Sequence, residues 1–504
     1  MLLSCSLAVL ALMLSGAQIM LLFMLSLIML LMLLSLCSRR LLLMLSDHML
    51  LFSFSMLIML THCWYAASSS CSYESVLIML ELPLLVDVLQ CRLSYDALSL
   101  SQLLMLSVVL VSIMLMLLTT ALVQPSQKML LMLCLMAMLM LSAAFLTADL
   151  LLFFLLFEGA LLPLAMLVLQ CGSRATRVTA AMKLLVYTML GSTCYAVAIG
   201  YLLLTIATCD AQVLSSVMLS AHTERALYAM LMLAMLVKLP IMPLHSWLPM
   251  AHAEAPTVGS VLLAAVVLKL SGYGMLRFIL PICSHAHEYC SSALEMLAIC
   301  SLIYGSLLTL CQVDAKRIIA CSSIAHMALI VAAFSCCSVD AFAGLITLLV
   351  SHGLVSMLLF MLIGMLYSRL HTRALRYIAG CYEAMPIWCS CFFIASLGNL
   401  SLPGTAGFTA ELLILAASWT ISPMLCLLMS LTLMLSGAYS LWLFNRVAHG
   451  NWPIQRISTA QDLSRKELLS VSPIVILMLI LGLMPNALLK GLLIYAAFSS
   501  ALLM

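Results

Sequence analysis

Charge is what this 504-residue chain lacks: 21 Lys plus Arg and 18 Asp plus Glu make up 8% of it, against about 25% in ordinary globular proteins. With 66% hydrophobic residues and a mean hydropathy of +1.25, a soluble fold would expose far more apolar surface than water tolerates. Alternation of apolar and polar residues is missing too. The run from Met129 to Leu141 does not alternate, which excludes a transmembrane barrel. An all-α integral membrane protein remains, because helices satisfy their own backbone polar groups inside lipid. The net charge of +3 is too small to imply a nucleic-acid partner. No glycine-rich phosphate loop is present, so no nucleotide site is expected. The chain has 20 Cys but no C-x-x-C, and Cys389 and Cys391, with one residue between them, lack the usual spacing of zinc or cluster ligands. The cysteines and the 41 Met read as apolar filler, and no metal site is expected. No basic residue precedes Cys37, unlike a secretory signal or an Arg-rich transit peptide, so the amino terminus reads as membrane-embedded.

Apolar stretches of about 20 residues, long enough to cross hydrocarbon, lie near 102–123, 129–147, 149–170, 178–205, 226–248, 257–280, 292–311, 316–337, 340–368, 387–420, 421–445 and 468–492. Upstream, 41–61 is another, and 2–37 is either one overlong span or a tight hairpin. The expectation is fourteen spans, or fifteen with the hairpin. They divide into N-terminal helices over 1–101, a core over 102–445 and a C-terminal helix over 446–504. Fourteen spans put fifteen basic residues on one side, among them Arg174, Lys316, Arg373 and Arg465, and only Arg92, Arg225, Arg277 and Lys490 on the other. Loops that collect Lys and Arg face the negative compartment. His285, His287 and Glu288 fall between spans and read as solvated.

Two basic residues belong to neither side. Lys238 lies thirteen residues beyond Arg225, about 20 Å along a helix. Lys269 lies thirteen residues past Pro256 and eight before Arg277, about 20 and 12 Å from the ends. A charge at such depth costs at least about 2.5 to 3.5 kcal/mol, so it marks a functional site. Glu158 and Glu411 share the predicament. A nearby cation would keep Glu158 ionised, and losing that cation would favour its neutral form, which makes such a group switchable; the alternative is a static ion pair or a hydrogen-bonded core residue. Lys238 precedes Pro240 and Pro243, and Glu411 follows Pro403. Prolines in mid-span remove backbone donors, and interrupted helices beside ionisable residues point to an ion path at mid-membrane; a simple kink is the other reading. His245, His326 and His352 are either core histidines or a protonatable row.

These motifs are similar to a known family. The stretch KLPIMPLHSWLP from Lys238 to Pro249, followed by AHAEAPT from Ala251 to Thr257, resembles the signature of the proton-pumping antiporter-like subunits of respiratory complex I. LKLSGYG from Leu268 to Gly274, FEGALLP from Phe157 to Pro163, DAKRIIA from Asp314 to Ala320, and the surroundings of His352 and Pro403 resemble the subunit 4 branch in particular. The likeness runs from Tyr95 to Asn445. It implies fourteen helices with two inverted five-helix repeats, each containing a discontinuous helix. It further implies that Glu158 pairs with Lys238, that Lys269 is the central relay, that Glu411 is terminal, and that the three histidines connect them. The expected cycle begins when Glu158 moves away or is neutralised, Lys238 yields a proton to Lys269, and the histidines carry it to Glu411. As a non-redox subunit of NADH:ubiquinone reductase, the chain would bind no cofactor itself. FMN, iron-sulfur clusters and ubiquinone would sit in other subunits, and its partners would be neighbouring antiporter-like and other membrane-arm subunits and the lipid bilayer. Abundant Met and Cys fit a mitochondrial inner-membrane chain, with a bacterial plasma membrane as alternative. Met250 stands where relatives often carry a charge. The competing family is the large subunit of multisubunit cation/proton antiporters, whose members match the His252 and Lys269 stretches less well.

Overall fold

The structure, a computed structural model, describes residues 126–172, 174–450, 461–486 and 489. The spans expected at 2–37, 41–61 and 102–123, with the whole 1–101 segment, lie outside the described residues. The described chain is helical throughout: α1 (Ser126–Ala144), α2 (Leu150–Cys171), α3 (Arg177–Ile206), α4 (Ala211–Ser216), α5 (Ala221–Lys238), α6 (Trp247–Glu254), α7 (Thr257–Ile282), α8 (Ser284–Leu310), α9 (Ala315–Ser335), α10 (Val339–Leu370), α11 (Pro386–Asn399), α12 (Ala406–Ile421), α13 (Pro423–Ala448) and α14 (Arg465–Leu483). Among the described residues, extended pairing is limited to two isolated bridges, Asp149 with Asp210 and Asp314 with Ala374.

Several helix starts carry side-chain caps. Ser220 and Ser338 accept hydrogen bonds from the backbone N–H groups three residues on, and Ser464 forms a capping box with Glu467, satisfying orphan donors of the first turn. Among the described residues, eight helices are long and apolar enough to cross a membrane. α8 starts at Ser284, about two turns earlier than the apolar pattern suggests, so His285 and Glu288 lie on a helix and not in a loop. His287 is fully buried.

The two interruptions expected from the prolines are present. α5 stops at Lys238 and the chain resumes as α6 at Trp247; α11 stops at Asn399 and resumes as α12 at Ala406. Backbone groups freed at these breaks find side chains, as they must where no water is at hand. Trp247 Nε1 donates to the Val237 carbonyl at 3.0 Å and the Met242 N–H donates to Ser301 Oγ at 3.0 Å. At the second break Thr405 Oγ1 donates to the Leu402 carbonyl at 2.8 Å. Gly404 there has φ +96°, in the left-handed region, which glycine enters without a Cβ penalty.

Burial sorts the helices into two shells. The apolar stretches of α7, α9 and α10 are wholly buried, whereas α3, α8, α13 and α14 turn most of theirs outward. That outer face is apolar, with Leu204 90% and Met434 78% exposed, as expected when lipid and not water covers it. The three enclosed helices carry Lys269, His326 and His352.

Candidate functional site

The first half of the site is an ion pair at a helix end. Lys238 is the last residue of α5, where an ammonium offsets the negative end of the helix dipole. Its Nζ meets Glu158 Oε1 at 2.5 Å and stands 3.1 Å from the centroid of the Phe157 ring. A short charge-assisted hydrogen bond and a cation–π contact hold the buried charge. The resemblance anticipated this pairing, and the structure makes it.

The second half is a row. Lys269 lies between two wider turns of α7, Leu263–Val267 and Met275–Ile279, where the backbone bonds span one residue more than in an α-helix; such turns recur at functional sites. The side chain donates to the Ala264 carbonyl inside the first of them. Its Nζ also lies 2.8 Å from His352 Nδ1 on α10. The His352 ring is 5.1 Å from that of His326 on α9, and His326 Nδ1 is 3.5 Å from Glu411 Oε1 on α12. Four side chains from four helices thus form one line of neighbours, all nearly inaccessible. His326 has no hydrogen-bond partner for either ring nitrogen among the described residues, nor has Glu411 Oε1. Buried polar atoms in that state are commonly satisfied by ordered water.

The pair and the row are separate. Lys238 reaches Glu158 and Phe157 and Lys269 reaches Ala264 and His352, and among the described residues no hydrogen bond joins the two lysines. His245 joins neither group. It lies within the first break and sits edge-on to Tyr304 of α8 at 5.2 Å. Pro240 and Pro243 lie within the first break and Pro403 within the second.

Several buried ionisable residues gave no signal in the sequence. Tyr439 on α13 is fully buried with an unpartnered hydroxyl and stands within electrostatic reach of Glu411; a tyrosine in an apolar helix looks like packing. His287 bridges Tyr228 Oη at 2.8 Å and the Phe334 carbonyl at 3.1 Å. At the basic end, Lys316 and Arg373 are buried, although their neighbours in sequence marked them as loop charges. Burial moves the Arg373 guanidinium below the usual arginine range, with the Arg174 charge acting the same way.

Known proteins resemble this chain in sequence and in fold. Residues 147–436 match the family model described as NADH:quinone oxidoreductase/Mrp antiporter, TM. The chain is 39% identical over 346 residues to NADH-ubiquinone oxidoreductase chain 4 of Chondrus crispus, covering 69% of this chain and 70% of that one. It is 41% identical over 342 residues to the protein of the same name from Metridium senile, covering 68% and 70%. A chain in the structure of respiratory complex I from Thermus thermophilus with bound NADH superposes with a TM-score of 0.81 at 25% identity, over 95% of this chain and 100% of that one. A chain of the Mrp complex from Dietzia superposes at 0.78 with 17% identity, over 95% and 99%, and speaks for the fold alone. More than half of the chain lies within the family match and the relatives are covered over two thirds of their length, so it belongs to the NADH:quinone oxidoreductase/Mrp antiporter transmembrane family, in the chain 4 branch.

Proposed function

We infer that this chain is a proton-translocating membrane-arm subunit of a respiratory NADH:ubiquinone oxidoreductase. The observation that carries the reading is the line from Lys269 through His352 and His326 to Glu411. Each member can take up and release a proton, and each has the next as its neighbour. Lys269 donates to neutral His352, the two imidazoles exchange the proton through a bridging water or a ring rotation, and Glu411 receives it. The Lys238–Glu158 pair acts on the row from outside. Separating it changes the field at Lys269, and any proton passing between the two lysines crosses water. The fully buried α7, α9 and α10 keep the route out of lipid.

Redox chemistry belongs to other subunits in this reading, with FMN, iron-sulfur clusters and ubiquinone bound there and none by this chain. The core is taken as 102–445, within which the family match falls. Fourteen helices in two inverted five-helix repeats remain the proposed architecture. Two interrupted helices and two isolated bridges at nearly equal chain separations support the repeat. We place the chain among neighbouring antiporter-like subunits in the mitochondrial inner membrane. A free-standing cation/proton antiporter is the weaker reading, since the curated relatives carry the chain 4 name.

The test is NADH-driven proton uptake by the assembled complex in sealed vesicles. Lys269→Met and Glu411→Gln are each expected to lower it by about ten-fold, one 1.4 kcal/mol step in barrier, at unchanged complex content. Full uptake in both variants would remove the reading.

A further inference from the structure

Helix α3 takes no part in the relay, yet it carries a lysine that no anion of the described chain meets. Lys183 lies six residues past Arg177, the first residue of α3, or about 9 Å into the span. It is exposed, so it stands on the outer face of the bundle and not in the core. Its Nζ meets Met250 Sδ of α6 at 3.2 Å, and a thioether is only a weak acceptor. No carboxylate pairs with it among the described residues. Helices α2, α5 and α6 pack against α3, and their glutamates are engaged or enclosed. Glu158 holds Lys238, Glu224 accepts from the Ala286 N–H at 3.0 Å, and Glu254 is buried. Tyr187, one turn on, is engaged by Ser246, whose Oγ donates to its hydroxyl at 2.7 Å.

An ammonium on a lipid-facing surface is costly unless an anion reaches it, and the long stem of lysine carries its charge toward the membrane interface. The surface around Lys183 points to the kind of anion. A stripe runs down α3 from it with the spacing of one helix face: Val186 is 58% exposed, Leu190 55% and Val197 59%. Hydrocarbon covers a stripe of this composition. Lys183 stands at its head, and Arg174, also exposed, lies beyond the start of α3 at the same end. That end collects the basic residues and so faces the negative compartment, the side on which basic pockets between helices take anionic headgroups. Charge at the interface followed by apolar surface below it is the order of groups in a phospholipid.

We propose that Lys183, with Met250 beside it, is the headgroup site of an anionic phospholipid whose acyl chain lies along Val186, Leu190 and Val197. The ammonium donates to a phosphate oxygen, a charge-assisted hydrogen bond that the Met250 sulfur cannot match. Arg174 adds positive charge at the same end. The lipid bridges α3 to α6, the helix that resumes after the first break, from outside the bundle. It therefore binds and leaves without opening the core that holds Lys269, His352 and His326.

The experiment follows acetylation of Lys183 by a membrane-permeant N-hydroxysuccinimide ester, read by peptide mass. The assembled complex is reconstituted in vesicles of phosphatidylcholine alone or of phosphatidylcholine with phosphatidylglycerol. Rates are taken relative to Lys466, exposed at the same basic end, which corrects for the general effect of surface charge. A headgroup on Lys183 covers the amine. Phosphatidylglycerol is expected to slow its labelling about five-fold, the weight of one lysine at an anionic surface, and inorganic phosphate added to the phosphatidylcholine sample is expected to leave it unchanged. Met250→Glu supplies an anion from the chain itself and is expected to abolish the difference between the two lipids. If that variant does not assemble, the comparison on the unaltered chain decides alone. Equally fast labelling in both vesicles overturns the site, and equally slow labelling shows that a protein chain covers Lys183 and overturns it as well. Slowing by inorganic phosphate, or a lipid difference that persists in Met250→Glu, assigns the effect to another source and overturns the phospholipid.

Discussion

At the scale of single residues, the Lys238–Glu158 pair sets an asymmetry between losing one charge and losing both. The lysine is almost completely covered and the glutamate 22% exposed, so removing the glutamate alone strands the deeper charge. Breaking a buried pair in this way costs about 3–5 kcal/mol, whereas replacing both partners by apolar residues of similar volume is often close to neutral. Glu158→Leu is therefore expected to reduce the amount of complex on native gels. The double variant Glu158→Leu with Lys238→Met is expected to restore the amount but not the proton uptake. Recovery of both quantities would mean that the pair is only structural. The four intramembrane charges were legible in sequence because each stands alone in an apolar run, and the cost of placing it there is known. Their convergence was not. Lys269, His326, His352 and Glu411 come from four helices, and nothing local to any of them marks the other three. His287 shows the converse error: a histidine between apolar runs looked solvated because the polar start of α8 hides its helical periodicity.

At the scale of elements, both interruptions were legible because Pro240, Pro243 and Pro403 cannot donate to a helix. The wider turns flanking Lys269 were not, since no glycine or proline marks Leu263–Val267; they depend on packing that the sequence does not display locally. The second interruption also depends on a distant contact. A Cβ on Gly482 of α14 would lie 2.3 Å from the Gly404 carbonyl oxygen, so α14 closes directly over the break. Gly482→Val is expected to displace the α11–α12 junction, and Glu411 with it. Proton uptake should fall further than Gly200→Val makes it fall, because nothing lies within 4 Å of a Cβ at Gly200. Equal behaviour of the two variants would separate the junction from the relay. The start of α11 is held from α14's side as well. Asp462 accepts from the Ile387 and Trp388 N–H groups at 2.8 and 3.0 Å, while Glu467 pairs with Arg369 at 2.7 Å. Asp462→Ala removes a cap worth about 1 kcal/mol. It should lower the thermal midpoint of the complex without changing turnover at low temperature; an unchanged midpoint would show that water replaces the carboxylate.

At the scale of the whole molecule, the arrangement of shells and the distribution of charge answer the same physical demand. Ionisable residues stay out of lipid when they lie on helices that lipid does not touch, and α7, α9 and α10 meet that condition while the outer helices present Leu and Met. The ends of the helices then fix the orientation. α2 runs toward Arg174 and α10 toward Arg373 and Arg376, while α5 begins beside Arg225, which lies 4.1 Å over the Tyr289 ring at the start of α8. Chain direction alternates through these elements, so Arg174 and Arg376 share one end of the bundle and Arg225 occupies the other, in agreement with the imbalance of basic residues. All three side chains are exposed. In sealed membrane vesicles with the basic face outward, limited trypsin digestion is expected to cut after Arg174 and Arg376, with peptides identified by mass. Arg225 is expected to stay intact until detergent opens the vesicles. Cleavage at Arg225 before detergent would place it on the same side as Arg174, and the alternation of helices that brings Lys269 and Glu411 into one line would then be wrong.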